Sequence, residues 1–196
     1  MLPILKIGKL VGNMKYDIIH CGSHKIYKIK INDLNNESII EELFEYKKLG
    51  YELNISTDIL TSDNIRKMYQ TCYKTIESVY SKELNILIKN GYQSGWIFEL
   101  PNNEYAGDYH KHSQLSPLYN KYESTLAWVY YLQIPNNLID NEGTISFKDE
   151  FDNAISINPE LGYVYSFPAN LLHKPNKTTN STNSRIVAVA NIKFNW

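Results

Sequence analysis

The chain has 196 residues, of which 43% are hydrophobic and 21% are charged. This is the composition of a globular protein, and the length suits one domain over residues 1–196 better than two. The formal net charge of −1 excludes the basic excess by which many proteins bind nucleic acids or anionic membranes, so neither partner is indicated.

The first residues, Met1 to Lys6, lack the charged start, apolar stretch and cleavage site of a secretory signal. No apolar run approaches the length needed to span a bilayer. Only two cysteines occur, Cys21 and Cys72, which is too few for a disulfide framework or a thiolate metal site. We therefore expect a cytoplasmic protein with free thiols, and the sequence does not indicate its oligomeric state.

The first half of the chain predicts strands followed by helices. Lys25–Ile31 alternates apolar and basic residues, as in a strand with one buried face. Glu37–Leu49 and Thr61–Asn90 carry apolar residues at helical spacing, and a glycine follows each segment directly. The second helix would be about 45 Å long if unbroken, so we expect a kink or a split near Ser81.

After Gly91 the helical periodicity is replaced by short β-rich runs separated by turn residues. Helices followed by a dense series of strands predict an α+β, mainly β protein: an antiparallel sandwich or barrel with helices on one side. We expect residues 1–92 to form a helical buttress with the first strands, and residues 93–196 to form the β core. The predicted strands are Gly95–Leu100, Ala106–His112, Thr125–Ile134, Gly143–Phe147, Ala154–Ile157, Gly162–Phe167 and Arg185–Phe194.

Two of the five histidines form the pair His110-Lys111-His112. On a strand, side chains two residues apart point to the same face, so two imidazoles can reach one metal ion. Asp108 would share that face and offer a carboxylate. The alternative is an ordinary exposed or hydrogen-bonded pair, whereas His20 and His24 fit a turn near the N-terminus.

Arg185 opens the apolar strand that ends the chain. A buried guanidinium is costly without an anionic partner, and a carboxylate offers the two-pronged contact that suits arginine. The alternative is a side chain whose charged head reaches solvent at the strand edge.

Taken together, the segment from Tyr109 to Asn191 resembles the phage and bacterial iron(II)/2-oxoglutarate oxygenases of the prolyl-hydroxylase-like group. The resemblance covers about eighty residues and rests on the order of several motifs. These motifs are His110-Lys111-His112, Val129-Tyr130-Tyr131-Leu132-Gln133-Ile134-Pro135, Gly143-Thr144-Ile145-Ser146-Phe147, Gly162-Tyr163-Val164-Tyr165-Ser166-Phe167-Pro168, His173, Ser184-Arg185-Ile186 and Asn191.

The resemblance implies a double-stranded β-helix with the N-terminal helices against its larger sheet. It also implies an enzyme that hydroxylates a substrate, unidentified by the sequence, with 2-oxoglutarate and O2 and releases succinate and CO2. In that case His110, His112 and His173 hold Fe(II). Arg185, Tyr131 and Asn191 then bind the cosubstrate 2-oxoglutarate: Arg185 and Tyr131 contact its distal carboxylate, and Asn191 lines the pocket. The alternative for Asn191 is a polar residue at a strand end. Tyr130 and Tyr131 point to opposite faces, so only one of them enters the site.

The sequence departs from this group at two points. His112 stands where most members of the wider superfamily have a carboxylate, so the site has three histidines or uses Asp108 or another acid. The stretch Ser113–Ser124 is longer than usual and predicts a lid with Tyr119 and Tyr122. Two alternatives stay open: a three-histidine cupin-type enzyme that does not use 2-oxoglutarate, and a non-catalytic jelly-roll binding module.

Overall fold

The computed structural model describes residues 6–11, 14–50, 53–56, 62–85, 90–103, 107–112, 126–179 and 181–195. The predicted lid Ser113–Ser124 lies outside these residues. The described chain contains two helices, α1 (Asn36–Lys48) and α2 (Asp63–Leu84). Its strands are β1 (Lys6–Val11), β2 (Met14–Cys21), β3 (His24–Lys30), β4 (Asn54–Ser56), β5 (Asn90–Leu100), β6 (Leu126–Gln133), β7 (Ile145–Lys148), β8 (Ala154–Ile157), β9 (Tyr163–Pro168), β10 (Leu172–Pro175) and β11 (Arg185–Asn195).

The strands form two antiparallel sheets. The larger sheet has eight strands in the order β1-β2-β3-β9-β6-β11-β5-β4, and the smaller has three in the order β10-β7-β8. From β3 to β5, neighbouring strands of the larger sheet are distant in sequence, which is typical of a jelly roll. Strands from both predicted parts of the chain lie in this one sheet, and β5 spans the boundary near residue 92. The division into a buttress (residues 1–92) and a β core (residues 93–196) therefore stays a prediction.

The two faces of the larger sheet bury different cores. Along β11, Ile186, Ala188 and Ala190 face the helices, whereas Val187 and Val189 face the smaller sheet. The same alternation separates Tyr130, on the helix side, from Tyr131, on the inner side, as their spacing predicted. The inner core between the sheets is the layer that contains the candidate site.

The helices begin as predicted, but α2 ends earlier. The Asn35 and Ser62 side chains cap the two helices by accepting hydrogen bonds from the backbone N–H groups of Ser38 and Ile65. At the other end of α2, Asn85 adopts a left-handed conformation with φ of 53°, which stops the helix after Leu84. The helix thus has 22 residues and continues through Ser81, where a kink or a split was predicted, to end three residues later. Among the described residues, no helix is long and apolar enough to cross a membrane.

Most predicted strands are present within one or two residues of their expected ends, and two local differences concern the site. Residues 107–112 do not form a strand, and His110 makes a single β-bridge to His173. His173 lies within a short strand, β10, which the sequence did not predict. The histidine segment forms no strand because it pairs with β10 at one point only, whereas β10 is a strand because it pairs with β7 along its length.

Candidate functional site

The site is built where the smaller sheet meets the segment of the histidine pair. His173 lies opposite Phe147 in the β10–β7 ladder, and it is 5% exposed. The backbone N–H of His110 donates to the carbonyl of His173 at 2.9 Å, and the reverse bond is 3.0 Å. The backbone N–H of His112 donates to the carbonyl of Ala169 at 2.8 Å. These three backbone bonds hold the histidine pair beside β10 without a regular strand.

The three histidine side chains converge. Their candidate ligand atoms all lie within 4.8 Å of one another, and the Nε2 atoms of His112 and His173 are 3.2 Å apart. Ligands at right angles on a metal with bonds of about 2.1 Å lie about 3.0 Å apart. The spacing of His112 and His173 therefore matches two neighbouring ligands of one metal ion.

Backbone carbonyls fix which nitrogen of two rings is free. The Nδ1 atoms of His110 and His173 each lie 2.9 Å from a carbonyl oxygen, that of Asp108 and of Leu171 respectively. A carbonyl only accepts, so each Nδ1 carries the hydrogen and each Nε2 keeps its lone pair for a metal.

Burial keeps two of the rings neutral. It lowers the pKa of His112 to about 4, and the neighbouring His110 adds to this effect. Burial also lowers the pKa of His173 to about 3, against the opposing effect of the hydrogen bond to Leu171. Metal ions bind imidazole in its neutral form. These two side chains are therefore in the ligating form at neutral pH without losing a proton.

Asp108 is not part of this cluster. The group of close ligand atoms found among the described residues contains only the three histidines. Asp108 is exposed, and its recorded contact with His110 is through its backbone carbonyl. Within the described part of the chain, the donor set is thus three neutral imidazoles, and the carboxylate expected as an alternative does not join them.

The histidines line a cavity of about 180 Å³ between the two sheets. The inner faces of β5, β6 and β11 form one wall of it, and residues of the smaller sheet form the other. All of the predicted site residues line this cavity: His110, His112, His173, Arg185, Tyr131 and Asn191. Residues as far apart in sequence as His110 and Asn191 therefore lie around one cavity. Their individual roles stay predictions.

Arg185 lines the cavity and is 2% exposed, so its end of the cavity is called the closed end. Its Nη1 donates to the carbonyl of Asn176 at 3.1 Å, whereas its Nε and Nη2 have no hydrogen-bond partner. Burial lowers its pKa, but arginine keeps its charge under ordinary conditions. The alternative that the guanidinium of Arg185 reaches solvent is therefore wrong. It is a buried cation on the cavity wall with two free hydrogen-bond donors.

Tyr131 lies close to Arg185 on the inner face of β6. Burial raises the pKa of its phenol to about 12, although the positive charge of Arg185 opposes this shift. Tyr131 therefore stays protonated and able to donate a hydrogen bond at every physiological pH. Asn191 lies on β11 at the other end of the cavity, and its Oδ1 is buried with no hydrogen-bond partner.

Several lining residues were missed by the sequence reasoning. Trp96 and Phe98 belong to β5 and line the cavity, and the ring of Trp96 lies 6.3 Å from that of His112. Their spacing of two within the predicted strand Gly95–Leu100 was a signal that both share one face. The contact of Asn176 with Arg185 had no such signal, because it depends on how a loop returns to the barrel.

Comparison with known proteins places the fold. No protein-family model matches the sequence, and no curated protein matches it. Solved structures match over most of the chain. A prolyl-4-hydroxylase from Pseudomonas putida has a TM-score of 0.61 and 11% identity, with 87% of this chain and 89% of that one covered. A viral collagen prolyl hydroxylase from Paramecium Bursaria Chlorella virus-1 has a TM-score of 0.58 and 17% identity, with 86% and 89% covered.

A third match is a non-heme alpha-ketoglutarate-dependent carbocyclase from nogalamycin biosynthesis, with a TM-score of 0.64 and 12% identity over 86% of this chain and 79% of that one. The chain has the double-stranded β-helix fold of these oxygenases. The predicted fold, including helices against the larger sheet, is thereby confirmed. At these identities the likeness speaks for the fold, and the function has to be argued from the site.

Proposed function

We propose that the protein is an Fe(II)- and 2-oxoglutarate-dependent oxygenase that hydroxylates a C–H bond of its substrate. The observation that carries this proposal is the pairing of two features in one cavity. A cluster of three histidines lies on its wall, and a buried guanidinium with two free donors lies at its closed end. A metal ion suits the first feature, and the distal carboxylate of 2-oxoglutarate suits the second.

The three histidines would hold Fe(II) through neutral imidazole nitrogens, a donor type that suits iron as well as zinc and copper. A metal with three protein ligands keeps open positions for other molecules. Bound Fe(II) with 2-oxoglutarate and O2 supplies the oxidising chemistry: one oxygen atom enters the substrate and the other enters succinate, which forms together with CO2.

The separation between the histidine cluster and the partner of Arg185 suits the length of 2-oxoglutarate. Asn176, which accepts a hydrogen bond from Arg185, lies three residues beyond His173, or about 10 Å along an extended chain. The carbon skeleton of 2-oxoglutarate spans about 5 Å, from four C–C bonds of about 1.5 Å. Adding a metal–oxygen bond at one end and a hydrogen bond at the other covers this separation.

In this arrangement Arg185 binds the distal carboxylate with the two-pronged contact that its free Nε and Nη2 offer. Tyr131 stays protonated and would donate a further hydrogen bond to the same carboxylate. The apolar residues that line the rest of the cavity, among them Val187 and Phe167, keep water from the reacting atoms. The chain thus binds, orients and shields, and the metal supplies the reactivity.

The neighbouring structures support the proposal by what they are called: prolyl-4-hydroxylases and an alpha-ketoglutarate-dependent carbocyclase. Because these neighbours act on different substrates, the fold does not select a substrate here. We also propose a cytoplasmic location, since Cys21 and Cys72 are both buried and unpaired, as in a reducing compartment.

One observation favours a second candidate, a three-histidine dioxygenase of the cupin type that needs no 2-oxoglutarate. It is the donor set itself, which lacks a carboxylate among the described residues. This candidate leaves the buried guanidinium of Arg185 without a function, and an unpaired buried cation is costly. A non-catalytic jelly-roll module would leave both the histidine cluster and the buried guanidinium without a function.

The test is turnover of 2-oxoglutarate by protein stripped of metal and reloaded anaerobically with Fe(II). We expect succinate to form slowly after O2 is admitted, even without substrate, and only with Fe(II) present. His173→Ala should abolish both stoichiometric Fe(II) binding and turnover, whereas His20→Ala, at an exposed histidine of β2, should change neither. Fe(II) binding without any succinate would favour the cupin-type candidate, and absence of metal binding would favour the non-catalytic one.

A further inference from the structure

The open end of the cavity carries an unexplained polar atom. Asn191 lies opposite Ser94 on β5, and Ser94 is exposed, so this end of the cavity meets solvent. The Oδ1 of Asn191 is nevertheless buried and has no hydrogen-bond partner. A buried acceptor without a donor is destabilising, so its presence on a cavity wall points to a bound molecule that supplies the donor.

The free Oδ1 of Asn191 needs a hydrogen-bond donor, whereas the carboxylates and the keto group of 2-oxoglutarate only accept hydrogen bonds. Asn191 is also distant from the end of 2-oxoglutarate that Arg185 would hold. Both residues face the cavity from β11, but six residues separate them, which is about 20 Å along the strand. The histidine cluster lies between these two ends. His112 is next to Trp96, and Trp96 pairs with Val189, which is two residues from Asn191.

The order along β11 is therefore Arg185 at the closed end, the level of the histidines, and then Asn191 at the open end. A cosubstrate about 5 Å long, reaching from Arg185 to the metal, ends at the histidines. The molecule that meets Asn191 has to approach the metal from the other side, and this is the side on which a substrate can enter.

We propose that Asn191 is a substrate-binding residue, and that it accepts a hydrogen bond from an N–H or O–H group beside the carbon that is oxidised. This inference rests on the proposed function and assigns Asn191 to the substrate instead of the cosubstrate. Since the cavity is small, only one group of a larger substrate enters it.

The chemistry of the wall defines that group further. Among the described lining residues, Arg185 is the only one with a permanent charge, and it is committed at the far end. The surroundings of Asn191 are the indole of Trp96 and small or aliphatic side chains such as Ala127 and Val189. An uncharged group with apolar carbons and one donor fits this surface, and a charged group does not, because nothing there would compensate its charge. A secondary amide, as in a peptide, has these properties.

The experiment uses two probes that differ in their amide N–H groups. They are N-acetylglycine N-methylamide and its analogue in which both amide nitrogens are methylated, so the second keeps the carbonyls but has no N–H donor. The protein is loaded with Mn(II) and saturated with 2-oxoglutarate, and binding is measured as paramagnetic broadening of the probe methyl resonances. Titration of 2-oxoglutarate beforehand checks the proposed function separately.

We expect the donor-bearing probe to be broadened at least several-fold more than its methylated analogue in the wild type. Asn191→Leu should remove this difference while the affinity for 2-oxoglutarate stays within about twofold, because the two sites are separate. Ser94→Ala at the paired position should behave as the wild type. The proposal is overturned if both probes broaden equally or not at all, or if Asn191→Leu weakens 2-oxoglutarate binding as strongly as Arg185→Lys does.

Discussion

Replacing Arg185 by lysine separates charge from geometry at the closed end of the cavity. Lysine keeps the positive charge but loses the planar fork that lets Nε and Nη2 contact both oxygens of one carboxylate. In the structure these two donors are free, and the third direction is occupied by the carbonyl of Asn176. The change therefore removes one of two charge-assisted hydrogen bonds to 2-oxoglutarate and leaves the histidine cluster intact.

The magnitude follows from that lost bond. A hydrogen bond to a charged group contributes about 1.5–3 kcal/mol, which corresponds to an affinity for 2-oxoglutarate weakened about 10- to 150-fold. Anaerobic calorimetric titration of 2-oxoglutarate into Fe(II)-loaded protein measures this directly. The matched control is Arg66→Lys, because Arg66 is the other arginine of the chain and lies exposed on α2.

Fe(II) content should be the same in the wild type and in both variants, since neither arginine is near a histidine nitrogen that would bind metal. If Arg185→Lys binds Fe(II) normally and its affinity for 2-oxoglutarate is unchanged, the anchor role of Arg185 is wrong. An equal loss in Arg66→Lys would attribute the effect to a general destabilisation instead.

Further predictions concern the ligand set, the core and the response to pH. His112→Asp should retain stoichiometric Fe(II) by metal analysis, because it supplies a carboxylate at the same position, and a metal-free variant would contradict the ligand role. Asp108→Ala should also retain full Fe(II) content, since the contact of this residue with the site is through its backbone; loss of metal would place its carboxylate on the iron. Phe147→Ala should lower the free energy of unfolding by about 3–5 kcal/mol in denaturant titrations, because the ring is fully buried against Phe167 and His173. Phe151→Ala, at a ring that is 77% exposed after the same strand, should change it by less than about 0.5 kcal/mol, and equal effects would contradict the packing. Burial raises the pKa of the Cys21 thiol to about 11 from 9.0, so the folded state binds more protons in this range and stability should fall as pH rises from 9 to 11. A stability that is constant over that range would contradict this.

The regular elements were predictable because their periodicity is local. The terminal strand alternates strictly between residues that face the helices and residues that face the cavity, and the structure follows this pattern through the whole of β11. The same rule separated Tyr130 from Tyr131. The place of Arg185 at the start of that apolar strand left a buried and an exposed guanidinium both open, and the structure shows that it is buried.

The predictions that were wrong concern local structure that the sequence pattern alone does not determine. The segment of the histidine pair has the pattern of a strand, but only His110 finds a bridge partner, so no ladder forms. The end of α2 was misplaced because Asn85 adopts a left-handed conformation that asparagine tolerates and the helical pattern does not reveal. The separation of Arg185, the histidines and Asn191 into three levels needs the strand register, which a single sequence does not provide.

The central claim is that the three histidines and Arg185 together support oxidative decarboxylation of 2-oxoglutarate. It is tested most directly by incubating Fe(II)-loaded protein and 2-oxoglutarate with ¹⁸O₂ and measuring the mass of the succinate formed. The account predicts one ¹⁸O atom in each succinate molecule for the wild type, and no enzymatic succinate for His173→Ala with the same amount of Fe(II) added. Succinate without the label, or equal yields from the two proteins, would contradict it.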